Sequence, residues 1–282
     1  MIKPQFAGQF YESDFEKLSK QIEHCYTGDL GPGDLPTKRT EKITKGIILP
    51  HARYTYSGQC AAWAYKEIAE SKFPKTFIIL FPDHTGTHFD YATTLEDFET
   101  MLGVVQVDKE FIEKLLKTNL VKKTTTIKEH SIEVQLPFLQ VSNKDKMNEI
   151  KIVPIICPTT NNYKELAQEI AKISNDICII ISSDFTHYGP KFGYTPFKFN
   201  IKQSIKDLDK NAIELILNYK SKEFLKYVKK TKATICGQYP IALGLEILKQ
   251  INSENPELLC YYNSNKIMPN ESQVSYASIS FR

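Results

Sequence analysis

Arginine is scarce in this chain of 282 residues: only Arg39, Arg53 and Arg282 occur, and the other basic side chains are lysines. Planar, bidentate phosphate recognition is therefore hardly available. The net charge of +3 comes from interspersed acids and bases rather than a basic block. Both points argue against a nucleic-acid-binding role. No pair of cysteines has metal-ribbon or redox spacing. The six cysteines, Cys25, Cys60, Cys157, Cys178, Cys236 and Cys260, are scattered, several of them inside apolar runs. All but one read as reduced, buried thiols. No segment has the length or apolarity of a membrane span, and the first residues lack a signal-peptide core. The expectation is a cytoplasmic protein with no membrane insertion.

What is present describes a packed globule, with 41% hydrophobic and 24% charged residues. Short β-branched runs alternate with helical patterns. Gly46–Leu49, Thr76–Phe81, Ile152–Cys157 and Ile177–Ser182 read as strands apolar on both faces, the kind covered by helices on both sides. Pro154 argues against a central place for the third. Val274–Phe281 alternates and reads as a half-exposed strand, with Leu258–Tyr262 as its partner. Helices are expected at Asp14–Tyr26, Gln59–Glu70, Lys109–Lys117, Tyr163–Ser174, Ile201–Leu217, Ser221–Lys229 and Pro240–Gln250, with Pro240 as a first helical residue. The strongest loop signal, Gly28–Pro36, falls too early to divide domains. The reading is one α/β domain over residues 1–282: a mixed, mostly parallel central sheet with helices on both faces.

Ligands of open α/β sheets bind beyond the carboxyl ends of the strands. After the first strand comes Pro50-His51. After the second comes Pro82-Asp83-His84. After Ile177–Ser182 comes Ser183-Asp184-Phe185-Thr186-His187. A lone histidine near a strand end is usually a hydrogen-bonded loop residue. Three of only six histidines at the same end of three strands is a different matter. Two neutral imidazoles and a third, anionic ligand make a metal site. On these grounds alone the third ligand is Asp184, a glutamate or a thiolate, and His187 stands level with His51 and His84.

The residues then reach a family. Pro50-His51-Ala52-Arg53-Tyr54-Thr55-Tyr56-Ser57-Gly58 resembles a signature of the Memo family. Further matches follow in order: Ala7-Gly8-Gln9-Phe10-Tyr11, Pro82-Asp83-His84, Leu102-Gly103 with Val107-Asp108, Glu129 to Leu139 (EHSIEVQLPFL), Ser183 to Gly189 (SDFTHYG), and Cys236-Gly237 with Pro240-Ile241. The resemblance implies a fold shared with class III extradiol dioxygenases, which use non-haem iron. It also implies a metal held by two histidines and a cysteine, here His51, His84 and Cys236. A thiolate ligand favours iron or copper, with zinc as an alternative, over magnesium or calcium. The motifs call for no organic cofactor. His187, Asp184 and His130 become the catalytic candidates, with His187 as proton carrier and Asp184 orienting it or a ligating histidine. Arg53, Tyr54, Asp83 and Glu133 become the substrate-pocket candidates, though His130 and Glu133 also read as a helix-capping pair. His88 reads as a surface residue.

Two positions depart from the family pattern. Arg53 replaces a usual glycine, which either strains a positive-φ position or brings a cation to the pocket mouth. Asp83 adds a carboxylate beside His84. Three functions fit: a metal-dependent oxidoreductase, a non-catalytic peptide- or phosphotyrosine-binding signalling protein, and a hydrolase with Cys236 as nucleophile and His187 as base. The expected partner is a small molecule or peptide, and self-association into a homo-oligomer is compatible with the sequence.

Overall fold

The computed structural model describes residues 1–282. In chain order the elements are α1 (Phe15–Thr27), β1 (Gly46–Leu49), α2 (Tyr54–Ala69), β2 (Thr76–Phe81), β3 (Ala92–Thr93), β4 (Phe98–Thr100), β5 (Gly103–Val107), α3 (Lys109–Leu116), β6 (Lys122–Lys123), α4 (His130–Glu133) and α5 (Gln135–Ser142). They continue with β7 (Lys151–Ile156), α6 (Tyr163–Ile173), β8 (Ile177–Ser182), β9 (His187–Tyr188), α7 (Ile201–Leu217), α8 (Ser221–Thr231), α9 (Gln238–Gln250), β10 (Glu257–Asn263) and β11 (Gln273–Phe281).

The sheet runs β10-β11-β1-β8-β2-β7-β3-β6. Its centre, β1-β8-β2-β7, is parallel throughout. Every residue of β1, β2 and β8 is buried, as their two-faced apolar runs require. Helices α1, α2 and α5 pack together over one face, and α6, α8 and α9 over the other. Helix α9 sits so close to β8 that a side-chain carbon at Gly244 would meet the end of the Ile181 side chain at 2.3 Å, so any larger residue there must displace Ile181. One contiguous hydrophobic core runs from Tyr11 to Phe281. This is a single α/β domain with a mixed sheet whose central strands are parallel.

Four local readings need correction. Pro154 does lie within the sheet, paired with Ile79 of β2. It is tolerated because the far side of β7 is paired only at its ends, by β5 at Lys151 and Ile152 and by β3 at Ile156. No neighbour asks Pro154 for an N–H. Strand β11 is buried along nearly its whole length rather than half-exposed. Its alternation separates two covered faces: Ser278 packs under α2 against Cys60, while Phe281 reaches Tyr219 just beyond α7. Helix α2 starts at Tyr54, a turn and a half earlier than its alanine-rich stretch suggests, and Pro240 is the third helical residue of α9 rather than the first. The missing N–H of Pro240 still falls among those with no intrahelical partner.

Candidate metal centre

Strands β1, β8 and β2 are adjacent and parallel, so the segments leaving their carboxyl ends meet. His51 follows β1 and lies on the floor of the site, 2% exposed. His84 follows β2, with its side chain 34% exposed at the opening. Cys236 arrives from the other side of the sheet, on the turn before α9. The His51 and His84 ring nitrogens and the Cys236 Sγ lie within 4.8 Å of one another. The His51 Nε2 is 3.1 Å from Cys236 Sγ. Ligands at about 2.0 Å (nitrogen) and 2.3 Å (sulfur) from one ion stand roughly 3.5 Å apart at a tetrahedral angle, so a small adjustment suffices.

The lone pairs are aimed by hydrogen bonds further back. Ser182 Oγ donates its single proton to the Ser131 carbonyl at 2.6 Å. It must therefore accept at its 2.9 Å contacts with Gln135 Nε2 and His51 Nδ1. His51 thus carries its proton on Nδ1, and Nε2 presents a lone pair to the site. His84 Nδ1 lies 2.9 Å from Glu129 Oε1, which fixes the same tautomer there. Glu129 also accepts from the His84 backbone N–H at 2.7 Å and stands 3.1 Å from His130 Nδ1. One buried carboxylate therefore orients two imidazoles, and the His84 and His130 rings stack with centroids 4.7 Å apart.

The electrostatics follow from burial. Desolvation, then the neighbouring His130 and His84, holds His51 well below the usual imidazole range, so it is neutral and able to ligate. Burial also disfavours the charged form of His84, but the hydrogen bond and charge of Glu129 outweigh it and the net shift is upward. Burial, and then Asp184, push the Cys236 thiol well up. A bound cation would reverse that and hold the thiolate. Two imidazoles and one ionisable sulfur fit a soft or borderline metal ion.

Cys236 is placed by reciprocal bonds between two turns. Asp184 N–H donates to Cys236 Sγ at 3.2 Å, and Gly237 N–H donates to Ser183 Oγ at 3.0 Å. A side-chain carbon at Gly237 would lie 2.3 Å from the Ser183 Cβ, so the approach depends on glycine.

The other predicted residues divide. Asp184 is buried and accepts from the His51 backbone N–H at 2.9 Å. It orients neither ring by a hydrogen bond. Burial raises its pKa, and His187 is the strongest opposing charge. His187 Nδ1 is 3.0 Å from both the Phe185 and Thr234 carbonyls, so that nitrogen carries the proton and Nε2 is the basic one. His187, His130 and Asp184 line a cleft of about 370 Å³ with Phe10, Arg53, Tyr56, Lys191, Phe192 and Tyr276. Arg53 has φ −55°, so no left-handed strain arises. It is exposed at the cleft mouth, and neither it nor Lys191 has a carboxylate partner within ion-pair distance.

Three pocket candidates lie elsewhere. Tyr54 is a core residue packed on Tyr11 and Phe138, with its hydroxyl on the Val134 carbonyl. Glu133 accepts from the Gln5 and Phe6 backbone N–H groups and the Tyr11 hydroxyl, so both oxygens are taken in anchoring the N-terminal segment. Asp83 accepts from the backbone N–H groups of Thr85, Gly86 and His88, and so shapes the turn that presents His84. His88 packs against that carboxylate, partly buried. Sequence reasoning missed Glu129, Ser182 and Gln135. The available signal was a glutamate directly before a histidine at a helix start, with a glutamine one turn further on.

A larger cavity, about 710 Å³, is remote from this chemistry and lined by Tyr26, Leu35, Arg39 and Met147 among others. Its guanidinium is already bound to Asp145, Asn143 and two carbonyls.

Fold and site define an α/β protein carrying a candidate histidine–cysteine metal site. The family model described as Memo-like protein matches residues 3–280, and the chain belongs to the Memo family. It is 35% identical to a MEMO1 family protein of Methanopyrus kandleri over 99% of this chain and 98% of that one. Relatives of the same description in Methanobrevibacter smithii (33% identity, 99% of each chain) and Pyrococcus abyssi (32%, 99% and 98%) are similar over the same extent. A solved structure of an uncharacterized protein from Escherichia coli K12 is also similar. It has 13% identity and a TM-score of 0.48, covering 84% of this chain and 99% of that one. No helix is long and apolar enough to cross a membrane.

Proposed function

We propose that this protein is a metal-dependent oxidoreductase whose iron or copper ion, with zinc as the alternative, is held by His51, His84 and Cys236. The observation that carries the reading is the convergence of the three donor atoms, with both imidazole lone pairs turned inward by Ser182 and Glu129. When bound, iron or copper would supply Lewis acidity and one-electron chemistry, whereas zinc would supply Lewis acidity alone. The relation to class III extradiol dioxygenases that the motifs imply supports the same class of chemistry.

The chain's own residues supply the rest. His187 Nε2 is the free base at the cleft, fixed in its tautomer by two carbonyls. His130 stands beside His84 with its Nδ1 held by Glu129, so its Nε2 is left to meet a substrate. Phe10, Tyr56, Phe192 and Tyr276 supply aromatic surface to the cleft, and Arg53 and Lys191 favour an anionic group at the mouth. Those two unpaired cations also support the second reading, a binding protein that takes an acidic or phosphorylated peptide in the same cleft. The hydrolase reading with His187 as base loses support, because the imidazole beside Cys236 is His51.

Anaerobic purification followed by elemental analysis tests the ligand set. About one iron or copper per chain is expected in the native protein and little in His51→Ala and Cys236→Ser. Stoichiometric metal retained in both variants sinks the assignment. Arg53→Ala separates the two functional readings. A metal-free native chain that binds acidic peptide, and loses that binding in Arg53→Ala but not in Cys236→Ser, favours the binding protein.

A further inference from the structure

Two thiols outside the metal centre face one another, on helix α2 and edge strand β10. Ser278 of β11 is paired with Cys260 of β10, so their side chains share a face of the sheet. The Ser278 Oγ is 3.5 Å from Cys60 Sγ and donates to the Cys60 carbonyl. Tyr262 gives an independent bearing. It lies two residues beyond Cys260 and so projects from the same face of β10. Its hydroxyl accepts from the Cys60 backbone N–H at 3.1 Å and donates to the Tyr56 carbonyl. Cys260 packs against the small cluster of Cys60, Tyr262 and Tyr276.

We propose that Cys60 and Cys260 form an oxidisable dithiol that hydrogen peroxide converts to a disulfide joining α2 to β10. The two thiols are unequal in the way such a reaction needs. Cys60 is fully buried, whereas Cys260 is partly exposed on the edge strand. The neighbouring Cys60 thiol lowers the Cys260 pKa, while burial raises that of Cys60. Peroxide oxidises the Cys260 thiol to a sulfenic acid and releases one water. The Cys60 sulfur then attacks the sulfenic sulfur. The S–S bond forms, the S–O bond breaks, and the Cys60 proton leaves with the hydroxyl as a second water. Two thiols and one peroxide give one disulfide and two waters. The product would tie β10 to the helix whose first turn carries Tyr56, a wall of the cleft lined by His130, Asp184 and His187.

The full-length protein treated with a few equivalents of hydrogen peroxide, quenched with an alkylating agent and digested with trypsin without reduction decides this. Trypsin leaves Cys60 alone in Tyr54–Lys66 and Cys260 alone in Gln250–Lys266. The expected product is these two peptides joined, lighter by two hydrogens than their sum. It should be lost in Cys60→Ser and Cys260→Ser, and kept in Cys236→Ser, which removes the thiol of the metal centre. The idea is overturned if native protein yields Cys260 as sulfinic acid with Cys60 still alkylated. It is equally overturned if the cross-link found contains Cys236, or if urea-unfolded chain forms the Cys60–Cys260 link as fast as folded chain. Because the native chain alone gives the decisive peptide map, failure of a variant to fold leaves the test intact.

Discussion

Replacing Glu129 by glutamine tests whether hydrogen bonds behind the ligands set metal affinity. The Glu129 side chain is 4% exposed. Its Oε2 accepts from the His84 backbone N–H at 2.7 Å, and its Oε1 is shared by His84 Nδ1, Ser131 N–H and Ser131 Oγ, with His130 Nδ1 at 3.1 Å. A glutamine keeps only one acceptor oxygen. With that oxygen at the Oε1 position, its NH₂ opposes the His84 N–H. In the reverse orientation the NH₂ opposes both imidazole N–H groups, and His84 must move its proton to the nitrogen that should ligate. Either way at least one charge-assisted bond is lost, about 1.5–3 kcal/mol. Weakening of metal binding by 10- to 100-fold is expected, or about 1.4–2.7 kcal/mol. Competition against a chromophoric chelator, with Fe(II) under anaerobic conditions or with Zn(II), measures it. Unchanged affinity in Glu129→Gln, alongside lost binding in His84→Ala, would refute the claim that this carboxylate aims the His84 lone pair.

Gly237→Ala should displace Cys236, because its new carbon falls 2.3 Å from the Ser183 Cβ; a loss of about 1–3 kcal/mol in urea stability and weaker metal binding are expected, and a variant as stable as the parent with full affinity contradicts this. Glu133→Ala leaves the Gln5 and Phe6 N–H groups and the Tyr11 hydroxyl without their acceptor. Hydrogen exchange should accelerate over residues 5–11 while the central strands stay protected. Asp209 gives a pH test. Burial raises its carboxyl pKa, against the opposing hydrogen bonds of Thr186 and Tyr261. Its folded pKa therefore exceeds the unfolded value of about 3.9. Its contribution to stability is fully present below that pH and is lost as pH rises through the folded pKa, by at most about 1.4 kcal/mol per unit. Asp209→Asn should gain on the parent in urea midpoint from about pH 4 upward; a flat difference across that range counts against the assignment.

The sequence by itself determined the class of fold and one end of the site. The runs in β1, β2 and β8 are apolar at every position, and only a central strand covered on both faces buries such a run. That placed His51 and His84, with His187 level with them, beyond the carboxyl ends of strands of one sheet. The motifs then singled out Cys236, but only by resemblance, since it lies 185 positions from His51. Tertiary structure decided the rest, because hydrogen-bond partners and approach distances are properties of packed elements and not of spacing along the chain. Tyr54 and Glu133 sit inside shared motifs and read as pocket residues until α5 and the N-terminal segment close over them. Glu129 and Ser182 read as ordinary polar residues until the carboxylate is found 2.9 Å from His84 Nδ1 and the hydroxyl 2.9 Å from His51 Nδ1. What histidine offers a metal is one lone pair, and which way it points is settled by the partner of the other nitrogen, which only the folded chain supplies.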